Sequence, residues 1–209
     1  MLPEKFVLAE RVLQVAPSPT LAVNAKAKAL RAAGADILNF SVGEPDMSTP
    51  AHVCAAGKKA IDDGHTRYTP VAGILELRQA ICAKLQQDQG WSYEADQVQV
   101  CCGGKHGLYN IFQAILNPGD EVLIPAPYWV SYPPMVQLAG GTPVIVPLKE
   151  ENDFDFDPAV LAQYVSPKTK AIVLNSPSNP TGSVFSQESL IAVAKMAYDN
   201  GWLVITDDM

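Results

Sequence analysis

Four places in the chain carry residue types that suit chemistry, and each follows a run of apolar or β-branched residues. "WLVIT" leads into the adjacent carboxylates Asp207 and Asp208. "KAIVLNSP" leads into "SNPTG", where Asn179 is followed by Pro180, Thr181 and Gly182. "EVLIPA" is followed by "PYWVSYP", which sets Tyr128 and Trp129 behind a proline. "VQVCC" is followed by Gly103, Gly104 and Lys105. A partly desolvated carboxylate seeks a cation or a protonated nitrogen. An aromatic plane can stack on a flat ring. Paired glycines permit close backbone approach, and the free N–H groups of a helix start favour an anion such as phosphate. An Asn-Pro turn holds one amide at a fixed place. Taken singly, three of these features have a plainer reading: Trp129 as ordinary core, and the glycine pair and the Asn-Pro stretch as plain turns.

The elements that position these residues alternate. The first 35 or so residues read as a helical arm, with apolar spacing of three and four over "PTLAVNAKAKALRAAGAD" and a stop at Gly34. "ILNF" reads as a short strand entering the loop "SVGEPDMSTP". Helices follow at about 50–63 and over "LELRQAICAKLQQDQG", separated by the loop "GHTRYTPVAGI". From Gln97 the pattern is strand, helix, strand: "VQVCC", "KHGLYNIFQAIL", "EVLIPA", a helix within "YWVSYPPMVQLAG", "TPVIVPL", an acid-capped helix over "DPAVLAQYV", "KAIVLNSP", a helix opened by Ser186, and "WLVITDD". Such alternation predicts an α/β fold, a mostly parallel sheet with helices on both faces. In such a sheet ligands bind beyond the carboxyl ends of the strands, which is where all four places fall.

Composition removes several function classes. The 209 residues are 48% hydrophobic and carry a net charge of −7. The basic residues are scattered, with Lys58-Lys59 the one adjacent pair, so nothing offers a footing for a nucleic-acid backbone. No apolar run approaches the ~18 residues of a membrane span. The N-terminus is broken by Glu4, Lys5, Glu10 and Arg11, unlike a signal peptide, which points to the cytoplasm. Cys54, Cys82, Cys101 and Cys102 form no CxxC, and an adjacent pair on a strand points to opposite faces; buried, reduced thiols are expected and no metal site. "GGKHG" is neither a Walker loop nor GxGxxG, which disfavours a dinucleotide-binding domain.

Together, a phosphate cradle, an aromatic plate, an amide and a carboxylate suit a flat, phosphorylated, nitrogen-containing ring. Pyridoxal 5′-phosphate has these features. Asp207 would keep its ring nitrogen protonated, which makes the ring an electron sink.

With "SVGEPD", "RYTPVAGILELRQAI", "GGKHGLYNIFQAILNPGDEVLIPAPYWVSYPPMV", "AIVLNSPSNPTGSVF" and "WLVITDD" in order, the chain resembles the class I pyridoxal-phosphate aminotransferases of fold type I, most closely the bacterial aspartate aminotransferases. The resemblance implies roles at the matching positions. Gly43 would contact the substrate carboxylate through its backbone. Gly103, Gly104 and Lys105 would supply the phosphate cradle, mainly through backbone N–H groups. Trp129 would stack on the pyridine ring and border the substrate. Asn179 would bond the ring's phenolic oxygen and lie near the substrate carboxylate. Asp207 would pair with the pyridinium nitrogen. Tyr68 would reach the phosphate of the neighbouring subunit, which implies a homodimer with shared active sites.

The same resemblance implies amino-group transfer between an L-amino acid, aspartate first, and a 2-oxo acid, 2-oxoglutarate. It places residues 1–49 in an N-terminal arm with part of a small domain and 50–209 in an incomplete large domain. The Schiff-base lysine, which is not Lys105, would lie beyond Met209. The chain is therefore expected to be an N-terminal fragment, inactive alone, with a raw sheet edge at "WLVIT". Other readings are a transaminase for alanine, aromatic amino acids, kynurenine or glutamine, a β-lyase on the same fold, or a non-catalytic truncated binding protein.

Overall fold

The computed structural model describes residues 7–40, 43 and 46–208. Most of "SVGEPD" and the terminal Met209 lie outside the described residues. The chain groups into two units, Met1–Ala22 with Gly104–Met209, and Val23–Gly103.

The first unit holds a four-stranded, all-parallel sheet. Its strands are β1 (Glu121–Ala126), β2 (Thr142–Pro147), β3 (Thr169–Asn175) and β4 (Leu203–Asp207), in the order β2-β1-β3-β4. The strands alternate their side chains between two cores, as the pleat requires. Val122, Ile124, Ala171, Val173 and Ile205 point to one face, where they meet Leu108, Phe112, Tyr132, Met135 and Val136. Leu123, Val146, Ile172 and Leu174 point to the other, against Phe156, Leu161, Val193 and Ala197. Each fully buried Val, Leu, Ile or Phe contributes about 1.5–3 kcal/mol relative to exposure. A stretch of strand buried on both faces must be apolar throughout, and the buried runs "AIVL" (171–174) and "VLIP" (122–125) are.

Helices cover both faces. In chain order the helices are α1 (Glu10–Leu13), α2 (Pro19–Ala32), α3 (Ala51–Asp62), α4 (Leu75–Gln89), α5 (Gly104–Ile115), α6 (Tyr132–Leu138), α7 (Pro158–Leu161) and α8 (Gln187–Asn200). α5 and α6 supply the first core, and α7 and α8 supply the second. The expected caps are present. The Asp157 side chain accepts from the Ala159 N–H at 2.9 Å, and Ser186 Oγ accepts from the Ser189 N–H at 3.1 Å. Each satisfies one of the orphan donors of a first turn.

The second unit contains α3, α4 and a 3-10 turn at Ala95–Gln97, tied by Arg78 to the Ala95 carbonyl at 2.8 Å. Two expected strands are absent here. "ILNF" lies in no ladder, and Leu38 and Phe40 are exposed. "VQVCC" also lies in no ladder; the Val100 N–H donates instead to the Ala72 carbonyl at 3.0 Å, a single bond to a loop. The β-branched composition was right for extended backbone, but a strand exists only where a neighbour pairs with it. The thiols also differ from expectation: Cys54 and Cys102 are exposed, and Cys82 and Cys101 are partly so. Among the described residues, no helix is long and apolar enough to cross a membrane.

Candidate cofactor site at the strand exits

The sheet order creates the site. From β1 the chain passes to β2 on one side, and from β3 it passes to β4 on the other. The reversal lies between β1 and β3, and a crevice opens beyond their carboxyl ends at such a switch point. A pocket occurs there, lined by Pro127, Tyr128, Tyr132, Asn175, Ser178 and Phe185 among others. The peptide bonds Ala126–Pro127, Ser176–Pro177 and Asn179–Pro180, which shape the two exits, are cis.

Asp207 ends β4 and is half-buried. Its Oδ2 accepts a hydrogen bond from Tyr132 Oη at 2.5 Å. Its main-chain carbonyl accepts from Asn175 Nδ2 at 2.7 Å. Both oxygens of the carboxylate are acceptors, so a further donor can still be taken. Tyr132 is 1% exposed. Burial, and then the bond to Asp207 and its charge, push the Tyr132 phenol far up, so it stays a donor.

Trp129 follows β1 and is partly buried. Its ring meets Tyr132 edge-on, with centroids 5.3 Å apart and planes at 80°. Lys105 Nζ lies over the Trp129 ring, 4.8 Å from its centroid. Lys105 itself is exposed, at the start of α5. Asn179 is partly buried, and its N–H donates to Asn175 Oδ1 at 2.6 Å. The turn that carries it is closed by Gly182 N–H to the Ser178 carbonyl at 2.7 Å and Ser178 N–H to the Ser183 carbonyl at 2.9 Å.

Gly103 has φ +85°, a conformation that favours glycine, and its N–H donates to the Cys101 carbonyl at 2.9 Å. Gly104 opens α5, so its N–H and that of Lys105 belong to a first turn with no intrahelical acceptor. A Cβ added at Gly103 or Gly104 would meet nothing within 4 Å, so the space beside this turn is open.

Gly104, Lys105, Trp129, Asn179 and Asp207 thus share the first unit, and Gly43, Tyr68 and Gly103 belong to the second. Gly43 and Tyr68 are exposed there. The sequence reading missed Tyr132 and Asn175. Asn175 had a signal: it is a polar residue closing the buried apolar run 171–174, and such a group must find partners.

Residues 35–209 match the model of the family "Aminotransferase class I and II". The aspartate aminotransferase of Geobacillus stearothermophilus is 48% identical over 202 residues, which are 97% of this chain and 51% of that protein. A probable aspartate/prephenate aminotransferase of Thermus aquaticus is also 48% identical, over 97% of this chain and 53% of its own length. Among solved structures, the aspartate aminotransferase of Thermus thermophilus with maleate superposes with a TM-score of 0.93 at 46% identity, over 97% of this chain and 53% of that one. The chain spans about half the length of the curated relatives it matches. With a matching fold, a matching family model and these relatives, the chain belongs to the class I and II aminotransferases.

Proposed function

We propose that this chain carries the cofactor-holding part of a pyridoxal-phosphate-dependent transaminase that moves an amino group between an L-amino acid, aspartate first, and 2-oxoglutarate. The observation that carries this reading is Asp207: a half-buried carboxylate at a strand exit, one oxygen held by Tyr132 and the main-chain carbonyl held by Asn175. The names of the relatives supply aspartate as the amino donor. Residues 50–209 are assigned to the large domain and 1–49 to an arm with part of a small domain. The compartment is the cytoplasm.

The residues present fit pyridoxal 5′-phosphate: the carboxylate suits a protonated ring nitrogen, and the glycine turn leaves open space beside a helix start. When bound, this group supplies an electron sink for the negative charge left when the amino acid's α-proton is removed. Asp207 would hold the proton on the ring nitrogen. Trp129 would cover one ring face. The Asn179 amide would bond the ring's oxygen and border the substrate carboxylate, and the Gly43 backbone would bind that carboxylate. The N–H groups of Gly104 and Lys105, in the turn shaped by Gly103, would receive the phosphate. Tyr68 would serve the phosphate of a second subunit, in a homodimer with shared sites.

On this reading the lysine that anchors the cofactor and moves the proton is not among these 209 residues, and this chain alone should bind the cofactor without turnover. Equilibrium dialysis against pyridoxamine 5′-phosphate tests the first half of this statement. Saturable binding that Asp207→Ala weakens supports it, and no binding by the unaltered chain sinks it. An assay with aspartate and 2-oxoglutarate tests the second half, where steady turnover by the chain alone would refute it.

A further inference from the structure

We propose that Tyr132 is a positioning residue for recognition of the ring nitrogen: its hydroxyl fixes the Asp207 carboxylate while its ring fixes Trp129. The inference rests on the pyridoxal-phosphate reading. One side chain touches both groups. Tyr132 Oη donates to Asp207 Oδ2 at 2.5 Å, and the Tyr132 ring packs edge-on against Trp129 at 5.3 Å.

Three features make Tyr132 a rigid reference. It is 1% exposed, so its ring has no room to swing. It opens α6, beside β1 and β2, in the core formed by Leu108, Phe112, Val122 and Ile124. Its hydroxyl has one partner that is also its one charged neighbour among the described residues, Asp207. A carboxylate on a strand end can rotate about two side-chain bonds. Binding one oxygen to a fixed hydroxyl restrains that rotation and leaves Oδ1 as the acceptor for a ring N–H, while the Asn175 bond holds the main chain from which the carboxylate projects. Preorganised acceptors cost no reorientation when the ligand arrives.

The arrangement also separates two roles. The stacking contact needs only the Tyr132 ring, whereas the nitrogen contact needs the hydroxyl. Tyr132→Phe removes one and keeps the other. The probes are pyridoxamine 5′-phosphate and its 1-deaza analogue, in which carbon replaces the ring nitrogen. A hydrogen bond to a charged group should make the unaltered chain prefer the natural ligand by roughly 10- to 100-fold. In Tyr132→Phe that preference should fall by roughly 5- to 10-fold, because the carboxylate is no longer aimed. Affinity for the deaza analogue should stay the same.

A merely structural tyrosine predicts a different result, with both ligands weakened alike and the preference unchanged, and that result overturns the inference. A second measurement needs no substitution. The Tyr132 hydroxyl proton, followed by NMR in the unaltered chain, should move when pyridoxamine 5′-phosphate binds and stay put with the deaza analogue; an identical response to both overturns the inference. Failure of the unaltered chain to bind either ligand removes the cofactor reading itself, and this inference with it.

Discussion

Asn175 and Asp207 are register partners at the carboxyl ends of β3 and β4, and the Asn175 amide donates to the Asp207 carbonyl at 2.7 Å. The other end of the same amide accepts the Asn179 N–H at 2.6 Å. One side chain therefore ties together the strand end that presents the carboxylate and the turn that presents the second amide. Asn175 is 8% exposed, so neither bond is readily replaced by water.

Asn175→Ala should strip a partner from two main-chain groups at once. Each polar group left unpaired costs about 1–3 kcal/mol. The urea midpoint of the chain should fall accordingly. Asn175→Asp keeps the acceptor for Asn179 but sets a carboxylate oxygen against the Asp207 carbonyl. It should therefore lie between the unaltered chain and Asn175→Ala only if the Asn179 contact dominates. A midpoint for Asn175→Asp below that of Asn175→Ala would mean that the donor to Asp207 matters more.

Trp129 offers one ring face to Lys105, whose ammonium lies 4.8 Å from the ring centroid. A stacked aromatic pair is worth about 0.5–1.5 kcal/mol beyond its area. Trp129→Leu should thus weaken pyridoxamine 5′-phosphate binding by roughly 2- to 13-fold, with Trp129→Phe losing less. Equilibrium dialysis reads both. Equal affinities in all three proteins would show that the ring does not stack on the ligand.

The legible part of this site was the part written locally. Asp207, Asn179 and Trp129 each follow an apolar run, so the sequence itself says that they stand at strand exits. β1 and β3 were legible for the same reason, since burial on both faces leaves an unbroken apolar run, and β4, although only Ile205 in it is buried, was legible from its apolar and β-branched "LVIT". Tyr132 was not legible, because its partner lies 75 residues away and no periodicity encodes a hydroxyl meeting a distant strand end. "VQVCC" misled in the opposite way. Its alternation is that of a strand, but pairing is a property of neighbours, and Val100 finds only the Ala72 carbonyl.

Acid should weaken the first unit through Asp120. Its Oδ2 accepts the Asn117 N–H at 2.8 Å and meets Lys170 Nζ at 3.1 Å, in the turn that feeds β1. The Asn117 N–H first, and then Lys170, hold its pKa below the usual 3.8. A carboxyl lowered on folding stabilises fully above its ordinary pKa, and that stabilisation is lost as pH falls through the folded value. Asp155 is lowered too: burial alone would raise it, but the Ser186 hydroxyl and the Phe156 N–H outweigh that. Asp120→Asn should therefore cost stability at pH 6 and cost less as the pH drops below about 3.8. Urea midpoints for both proteins at pH 6 and pH 3 check this, and a gap that widens at pH 3 contradicts it.

Gly103 and Gly104 are adjacent, yet the structure predicts opposite behaviour for them. Gly103 has φ +85°, so an added Cβ is strained although it would meet nothing within 4 Å. Gly103→Ala should cost about 1–2 kcal/mol of stability from backbone conformation alone. Gly104 is the first residue of α5 and has no positive φ, and a Cβ there would also meet open space. Gly104→Ala should leave stability unchanged or raise it by up to ~1 kcal/mol, since alanine is the better helix residue. Ligand binding reverses the ranking of interest. If the amides at the start of α5 receive the phosphate, a methyl on Gly104 stands in the approach and weakens pyridoxamine 5′-phosphate binding without loosening the fold. Urea unfolding and equilibrium dialysis on the two variants separate the effects. Unchanged affinity in Gly104→Ala would remove Gly104 from the cradle and leave this turn a purely structural one.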